Sequence, residues 1–236
     1  MKKTLLLMLG VFLAAISCSE SKKAEELTLL SPGKGMHSNW VSESHSPKTT
    51  AVVTGNSMEI ITPKGLTLWY DKKLKGDYQI SYKVKFVMEG GEFDRLSDLN
   101  CFWGARDPEY PKDIYERSIW RNGEFEKYNT LDLFYVGYGG NHNSTSRFRE
   151  YRAEYINEGR DAIKPVIKEY NDAANLLKPN QWMTIVITVK GDKTTYSMDG
   201  AEIFSLDIPE GRGDGYFGLR LLQNHTVFED FSIVEL

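Results

Sequence analysis

His142 sits between Asn141 and Asn143, with Arg147 and Arg149 shortly after it and Tyr135 and Tyr138 shortly before. These residue types can act together on one kind of substrate. Abstracting the acidic proton beside a uronate carboxylate needs Arg, Asn or Gln to neutralise that carboxylate, His or Tyr as base, and Tyr as acid. Here Asn141, Asn143 and Arg147 are candidate neutralisers, His142 is the candidate base, and Tyr138 or Tyr135 is the candidate acid. Arg149 adds a further cation, and Arg220, Gln223 and His225 are polar groups that a sandwich could bring to the same face. The same types would also line a groove that binds sugar without chemistry, or brace a long loop through backbone hydrogen bonds. A retaining hydrolase would instead need two carboxylates about 5 Å apart. Glu92, Asp94 and Asp98 are the nearest candidates, and Asp94 beside Arg95 also reads as a turn salt bridge.

The elements that must position these groups are strands. Leu131, Leu133 and Tyr135 alternate with Asp132, Phe134 and Val136, and Gly137, Gly139 and Gly140 end the run. A strand that stops in glycines and hands over to His, Asn and Arg presents a polar site at its end. The stretch EFDRLSDLNCFWGARD predicts a second wall. Asp94, Asp98, Asn100 and Phe102 fall on one side, and Arg95, Leu99, Cys101 and Trp103 on the other. Such polar density predicts a concave, solvated face, so Asp98, Asn100 and Trp103 join the candidate sugar contacts. Residues 78–88 alternate most regularly, with Tyr78, Ile80, Tyr82, Val84, Phe86 and Met88 on one face. Gly55-Asn56 and Asp199-Gly200 are hairpin turn signals. Further strands are expected at 50–53, 58–62, 66–70, 182–190, 194–198, 201–206, 213–222 and 227–234. Residues 104–127 look irregular, with Tyr115 and Trp120 as exposed aromatics. Residues 151–177 alone have helical spacing, predicting one short helix or two fragments.

The bulk numbers agree with a β-rich domain. The 236 residues include 13 Tyr, 11 Phe and 5 Trp. A net charge of -4 and a pI near 5.7 give no basic footprint, which argues against nucleic acid as a partner. Cys101 alternates with Leu99 and Trp103 and reads as a buried structural thiol. The four histidines, at 37, 45, 142 and 225, lack metal-ligand spacing, and no glycine-rich phosphate loop precedes a helix. No cofactor is expected.

Residues 1–17 have a signal-peptide layout, with Lys2 and Lys3 ahead of a short apolar run. Ala15-Ile16-Ser17-Cys18 resembles the bacterial lipobox, in which the cysteine is lipidated and becomes the new N-terminus. Residues 18–26 then form a tether and 27–236 a single domain. The expectation is a protein of the cell envelope, on the outer-membrane or periplasmic face, that meets the membrane through its lipid anchor only.

The segment LLKPNQWMTIVITVKGDKTTYSMDGAEIF, followed by GYFGLRLLQNHTVFEDFSI, resembles the closing strands of concanavalin-A-like jelly-roll domains. LTLWYDKKLKGDYQISYKVKF, SDLNCFWGARDP and YNTLDLFYVGYGGNHNSTSRFR resemble a branch of that superfamily found in envelope proteins of polysaccharide-degrading Bacteroidota. The resemblance spans roughly 27–236. It implies an all-β, two-sheet antiparallel jelly-roll sandwich with a short helical insertion, leaves room for a structural calcium, and makes a polysaccharide or oligosaccharide the expected partner. Jelly rolls host lectins, hydrolases and lyases alike, so the activity stays open. The expectation is a protein acting on an acidic, uronate-containing polysaccharide. It would be a lyase working by β-elimination, a glycoside hydrolase using the acids at 92–98, or a non-catalytic carbohydrate-binding module.

Overall fold

The computed structural model describes residues 25–27, 33–37 and 40–236. The expected signal peptide and Cys18 lie outside the described residues. So does the tether, apart from Glu25 and Glu26, which belong to the first strand.

The N-terminal strands are β1 (Glu25–Leu27), β2 (Gly33–His37), β3 (Trp40–Ser44), β4 (Thr50–Thr54), β5 (Ser57–Tyr70) and β6 (Tyr78–Phe86). The middle of the chain forms β7 (Leu99–Arg106), β8 (Asp132–Gly139), β9 (Thr145–Tyr151) and β10 (Val166–Tyr170). The last four are β11 (Met183–Lys190), β12 (Lys193–Met198), β13 (Ala201–Asp207) and β14 (Tyr216–Glu235). All their pairings are antiparallel, in the order β10-β9-β8-β7-β14-β6-β11-β12-β13, with β5 also on β14.

This path closes into a sandwich because β14 serves both sheets. Its first half pairs with β7 and its second half with β6, while β5 pairs with it from Gly218 to Glu229. A bulge at Leu222–Asn224, with Gln223 at φ 50°, marks the change of layer. Extra residues at bulges bend strands and increase their twist. Asn224 stitches the bend: its Oδ1 accepts from Leu222 N at 2.8 Å, and its Nδ2 donates to the Ser97 and Arg95 carbonyls at 2.7 and 3.1 Å. The two wings then face each other. Phe148 of β9 lies 5.7 Å from Phe204 of β13, and Trp103 Nε1 of β7 donates to Thr194 Oγ1 of β12 at 2.9 Å.

The interior fills by strand parity. On β6 the side chains of Tyr78, Ile80, Tyr82, Val84 and Phe86 are all buried. Leu99, Cys101 and Trp103 of β7 join them with Phe134, Val136 and Tyr138 of β8. Burial pushes the Cys101 thiol up to about 12, as an inert structural cysteine requires.

The outer face of β5, β14, β7 and β8 corrects the expectation of a solvated wall. A second aromatic core covers it, built from Val41, Trp69, Phe102, Tyr128, Leu133, Tyr135 and Tyr151. Residues 107–131 supply the cover as a chain of short helical turns, Ile114–Arg117, Ser118–Arg121 and Phe125–Thr130. Glu43 of β3 anchors this cover from below. Its fully buried carboxylate accepts from Arg121 Nη2 at 2.7 Å, Ser118 Oγ at 2.7 Å and Tyr128 Oη at 2.6 Å. Residues 151–177 hold three helical turns, Ala153–Tyr155, Arg160–Ile163 and Ala173–Asn175, and between the last two of them β10, which the loose helical spacing conceals.

Candidate functional site

The candidate site grows from the β8–β9 hairpin. β8 sends Phe134, Val136 and Tyr138 inward, and Leu133 and Tyr135 outward. Gly137 is required here, because a Cβ on it would collide with the Tyr135 hydroxyl; the phenol lies back over the glycine. On β9 the side chains of Arg147, Arg149 and Tyr151 take the same outer face, while Phe148 goes inward. The turn between the strands runs through Asn141, His142 and Asn143 at φ 51°, 57° and 58°. Asn and His are among the non-glycine residues that tolerate this left-handed region best, so much of the Asn-His-Asn signal is turn chemistry. Ser144 Oγ closes the turn by donating to the Asn141 carbonyl at 2.7 Å.

Tyr135, Arg147, Arg149 and Asn141 converge with Asp98 on one cleft of about 120 Å³. Phe125, Arg160 and Lys164, which no local sequence signal singles out, complete its wall. Lys164 is almost fully buried. Its ammonium donates to Glu126 Oε2 at 2.9 Å and Asn129 Oδ1 at 3.0 Å, and lies 5.1 Å from the centre of the Phe125 ring. Arg149 Nη1 donates to the Lys164 carbonyl, and Arg147 pairs with Glu169 of β10. Arg160 is exposed and makes no ion pair among the described residues. Asp98 is already held by Arg95 at 2.7 Å and by Ser97 Oγ at 2.9 Å.

The cleft therefore carries surplus positive charge. Burial lowers the Arg149 guanidinium from its usual range, and Arg160 and Arg147 add to that shift. Burial also lowers the Lys164 ammonium; Glu126 opposes the shift, while Arg160 and Arg149 reinforce it. Burial, followed by the charge of Asp98, raises the Tyr135 phenol and keeps its proton on.

Several expected contacts lie elsewhere. Trp103 is wholly buried between the sheets and stacks on Phe148 at 5.6 Å, so it cannot meet a ligand on the outer face. Tyr138 has the parity of Phe134 and is also interior, on the opposite side of β8 from Tyr135. His142 is exposed at the hairpin tip, outside the cleft lining. Asn143 latches the Leu177 backbone, accepting from its N–H at 2.8 Å and donating to its carbonyl at 3.0 Å. Arg220 and Asn100 are on the right face but sealed beneath the cover. Arg220 Nη1 donates to the Gly123 carbonyl at 2.7 Å, and the guanidinium lies 5.6 Å from the Phe125 ring. Gln223 is the exposed bulge residue, and His225 bridges Asp94 at 3.1 Å and Glu59 at 2.7 Å beyond it. His142, Arg147, Arg220 and Gln223 therefore do not meet. Asp94 also accepts the Glu89 and Gly91 amides as a turn brace, so Asp94 and Asp98 are both engaged by groups of their own loop. Among the described residues no group of three or more His, Cys, Asp or Glu is placed to hold a metal ion.

Comparison with solved structures finds a Bacillus subtilis protein of unknown function with a galectin-like fold. It has a TM-score of 0.58 at 11% identity, covering 93% of this chain and 92% of that one. The carbohydrate binding module CBM66 from Bacillus subtilis matches with a TM-score of 0.52 at 12% identity, covering 84% and 96%. At such identities the likeness establishes the fold. A comparison with curated proteins returns no match. Residues 60–231 match the family model described as domain of unknown function DUF6250.

Proposed function

The chain belongs to the DUF6250 family, and we propose that it is a saccharide-binding sandwich whose β8–β9 cleft takes the carboxylate of an acidic sugar. The observation that carries this reading is the charge of the cleft. Arg147, Arg149, Arg160 and Lys164 face it; Glu169 answers Arg147, Glu126 answers Lys164 and Arg95 holds Asp98, which leaves Arg149 and Arg160 without a carboxylate partner among the described residues. An anion entering there forms charge-assisted hydrogen bonds and relieves the burial penalty on Arg149 and Lys164. Tyr135 and Phe125 supply flanking ring surface. The CBM66 likeness agrees with such a role for the fold. Binding is favoured over β-elimination because His142 stands outside the cleft and Tyr135 retains its proton, which leaves no base opposite an acid.

Calorimetric titration with galacturonate oligosaccharides and with neutral oligosaccharides of equal length tests the reading. Acidic oligomers should bind more tightly. Arg149→Ala, and the exposed and therefore structurally safer Arg160→Ala, should each weaken them by about tenfold, the loss of one charge-assisted hydrogen bond. Equal affinity for the acidic and neutral series, or indifference to both substitutions, would overturn the proposal. Release of unsaturated uronate during incubation would move it to β-elimination.

A further inference from the structure

A cleft of about 550 Å³ lies at the other end of the same hairpin, where β7 and β8 meet the residues after β9. The geometry points to it as a second saccharide site, for an uncharged, hydroxyl-rich sugar. The inference takes its ligand class from the saccharide-binding reading, and the cleft itself shares only Tyr151 with the first.

Its charge balance differs from that of the first cleft. Four arginines line it, and four carboxylates answer them, so the wall has no net sign. Much of this charge is paired internally. Glu150 accepts from Arg212 Nε at 3.0 Å and pairs with Arg152 at 3.1 Å, and Arg117 pairs with Glu109 at 2.8 Å. Such a wall offers little to a free carboxylate and many fixed donors and acceptors to hydroxyl groups, which need both.

Two partnerships are incomplete. Asp132 spends Oδ1 on the Ala153 amide at 2.9 Å, while its Oδ2 stands 4.0 Å from Arg106 Nη2, too far for a hydrogen bond. A sugar hydroxyl fits this gap, accepting from Arg106 and donating to Asp132. Arg212 has its guanidinium 4.1 Å from the Phe134 ring, and its buried Nη2 has no hydrogen-bond partner. Buried donors without partners are uncommon and mark places where a water belongs.

Tyr110 and Trp120, the exposed rings nearest Arg117, stand outside the lining itself. The Arg117 guanidinium lies 5.0 Å from the Tyr110 ring and 5.5 Å from the Trp120 ring, and Trp120 is 46% exposed. Asp107 fixes Arg117 from behind at 2.7 Å. Rings held beside a polar cleft give an apolar surface to the pyranose C–H face of a sugar that reaches past the lining.

Amide shift mapping on isotope-labelled protein tests this with cellohexaose, xylohexaose and mannohexaose as neutral probes and a galacturonate oligomer as the acidic one. A neutral probe should shift the amides of Arg106, Asp132 and Ala153 and the indole of Trp120. Arg106→Ala and Asp132→Asn should each weaken it by about tenfold, and Asp132→Asn keeps an acceptor for the Ala153 amide. No shift with any neutral probe, or neutral-probe shifts confined to 135–149, overturns the inference. If the acidic oligomer shifts 135–149 in the same samples, the first cleft stands alone; if it too shifts nothing, both readings fall.

Discussion

A methyl group added at Gly137 would occupy the space of the Tyr135 hydroxyl. Gly137→Ala should therefore displace the phenol from the cleft and weaken acidic oligomers. It should also cost about 1–3 kcal/mol of stability, the usual penalty of overpacking, read from chemical denaturation. At this scale the sequence was legible where side-chain type alone decides the role. Tyr135, Arg147 and Arg149 are polar or aromatic groups with the right parity, and they reach the cleft. Trp103 and Tyr138 were equally decidable by parity, because alternation groups them with Cys101 and Val136, both interior. Chemical type had outweighed position in assigning them to a ligand. His142 fails for a different reason: three consecutive left-handed residues turn its side chain into part of a hairpin tip.

Among the elements, the bulge in β14 and the cover over the outer face were the least legible. The two predicted strands at 213–222 and 227–234 are one strand, Tyr216–Glu235, because hydrogen bonds from a single buried side chain carry the ladder past Gln223. Asn224→Ala removes those bonds and leaves the Ser97 carbonyl and the Leu222 amide without their side-chain partner, while the Arg95 carbonyl keeps the Ser97 amide. A loss of about 1–3 kcal/mol is expected, visible as a lower urea midpoint at unchanged slope. Residues 104–127 show no period because their helical turns are one to two turns long and are held by tertiary contacts, chiefly Glu43 with Arg121. A contact between residues 78 positions apart leaves no local pattern. Arg160 and Lys164 were missed on the same ground: a helical spacing was visible, but nothing local said which cleft its cations would face.

The whole molecule is rich in phenols that its two cores keep neutral. Burial raises Tyr82, Tyr128, Tyr151 and Tyr196 well above the usual phenol range, and Tyr138 and Cys101 to about 12. Each group has a folded-state pKa above its unfolded one. The stability it contributes is complete below the unfolded value, about 10 for tyrosine, and is lost as pH climbs through the folded value. The melting temperature should accordingly fall steadily from about pH 10 to pH 12, while tyrosinate absorbance lags behind that of the unfolded chain. A titration in which all phenols ionise near pH 10 in the native protein would contradict this arrangement of the cores. The β-rich class was readable from alternation and turn signals, and the sandwich from the resemblance of the closing strands to jelly rolls. The layer in which each strand sits was not, because it depends on which half of β14 that strand adjoins.

That dependence constrains the order in which the chain can assemble. β14 lies between β7 and β6 in the sheet but follows both in sequence. During synthesis the β7–β10 wing and the β6–β13 wing therefore emerge with open edges and no strand to join them. Long-range pairing of this kind is slow to form, and unpaired edges associate with other chains. A nascent chain halted before Tyr216 would present two such edges at once, so safe completion of this fold rests on how quickly its final twenty-residue strand is delivered.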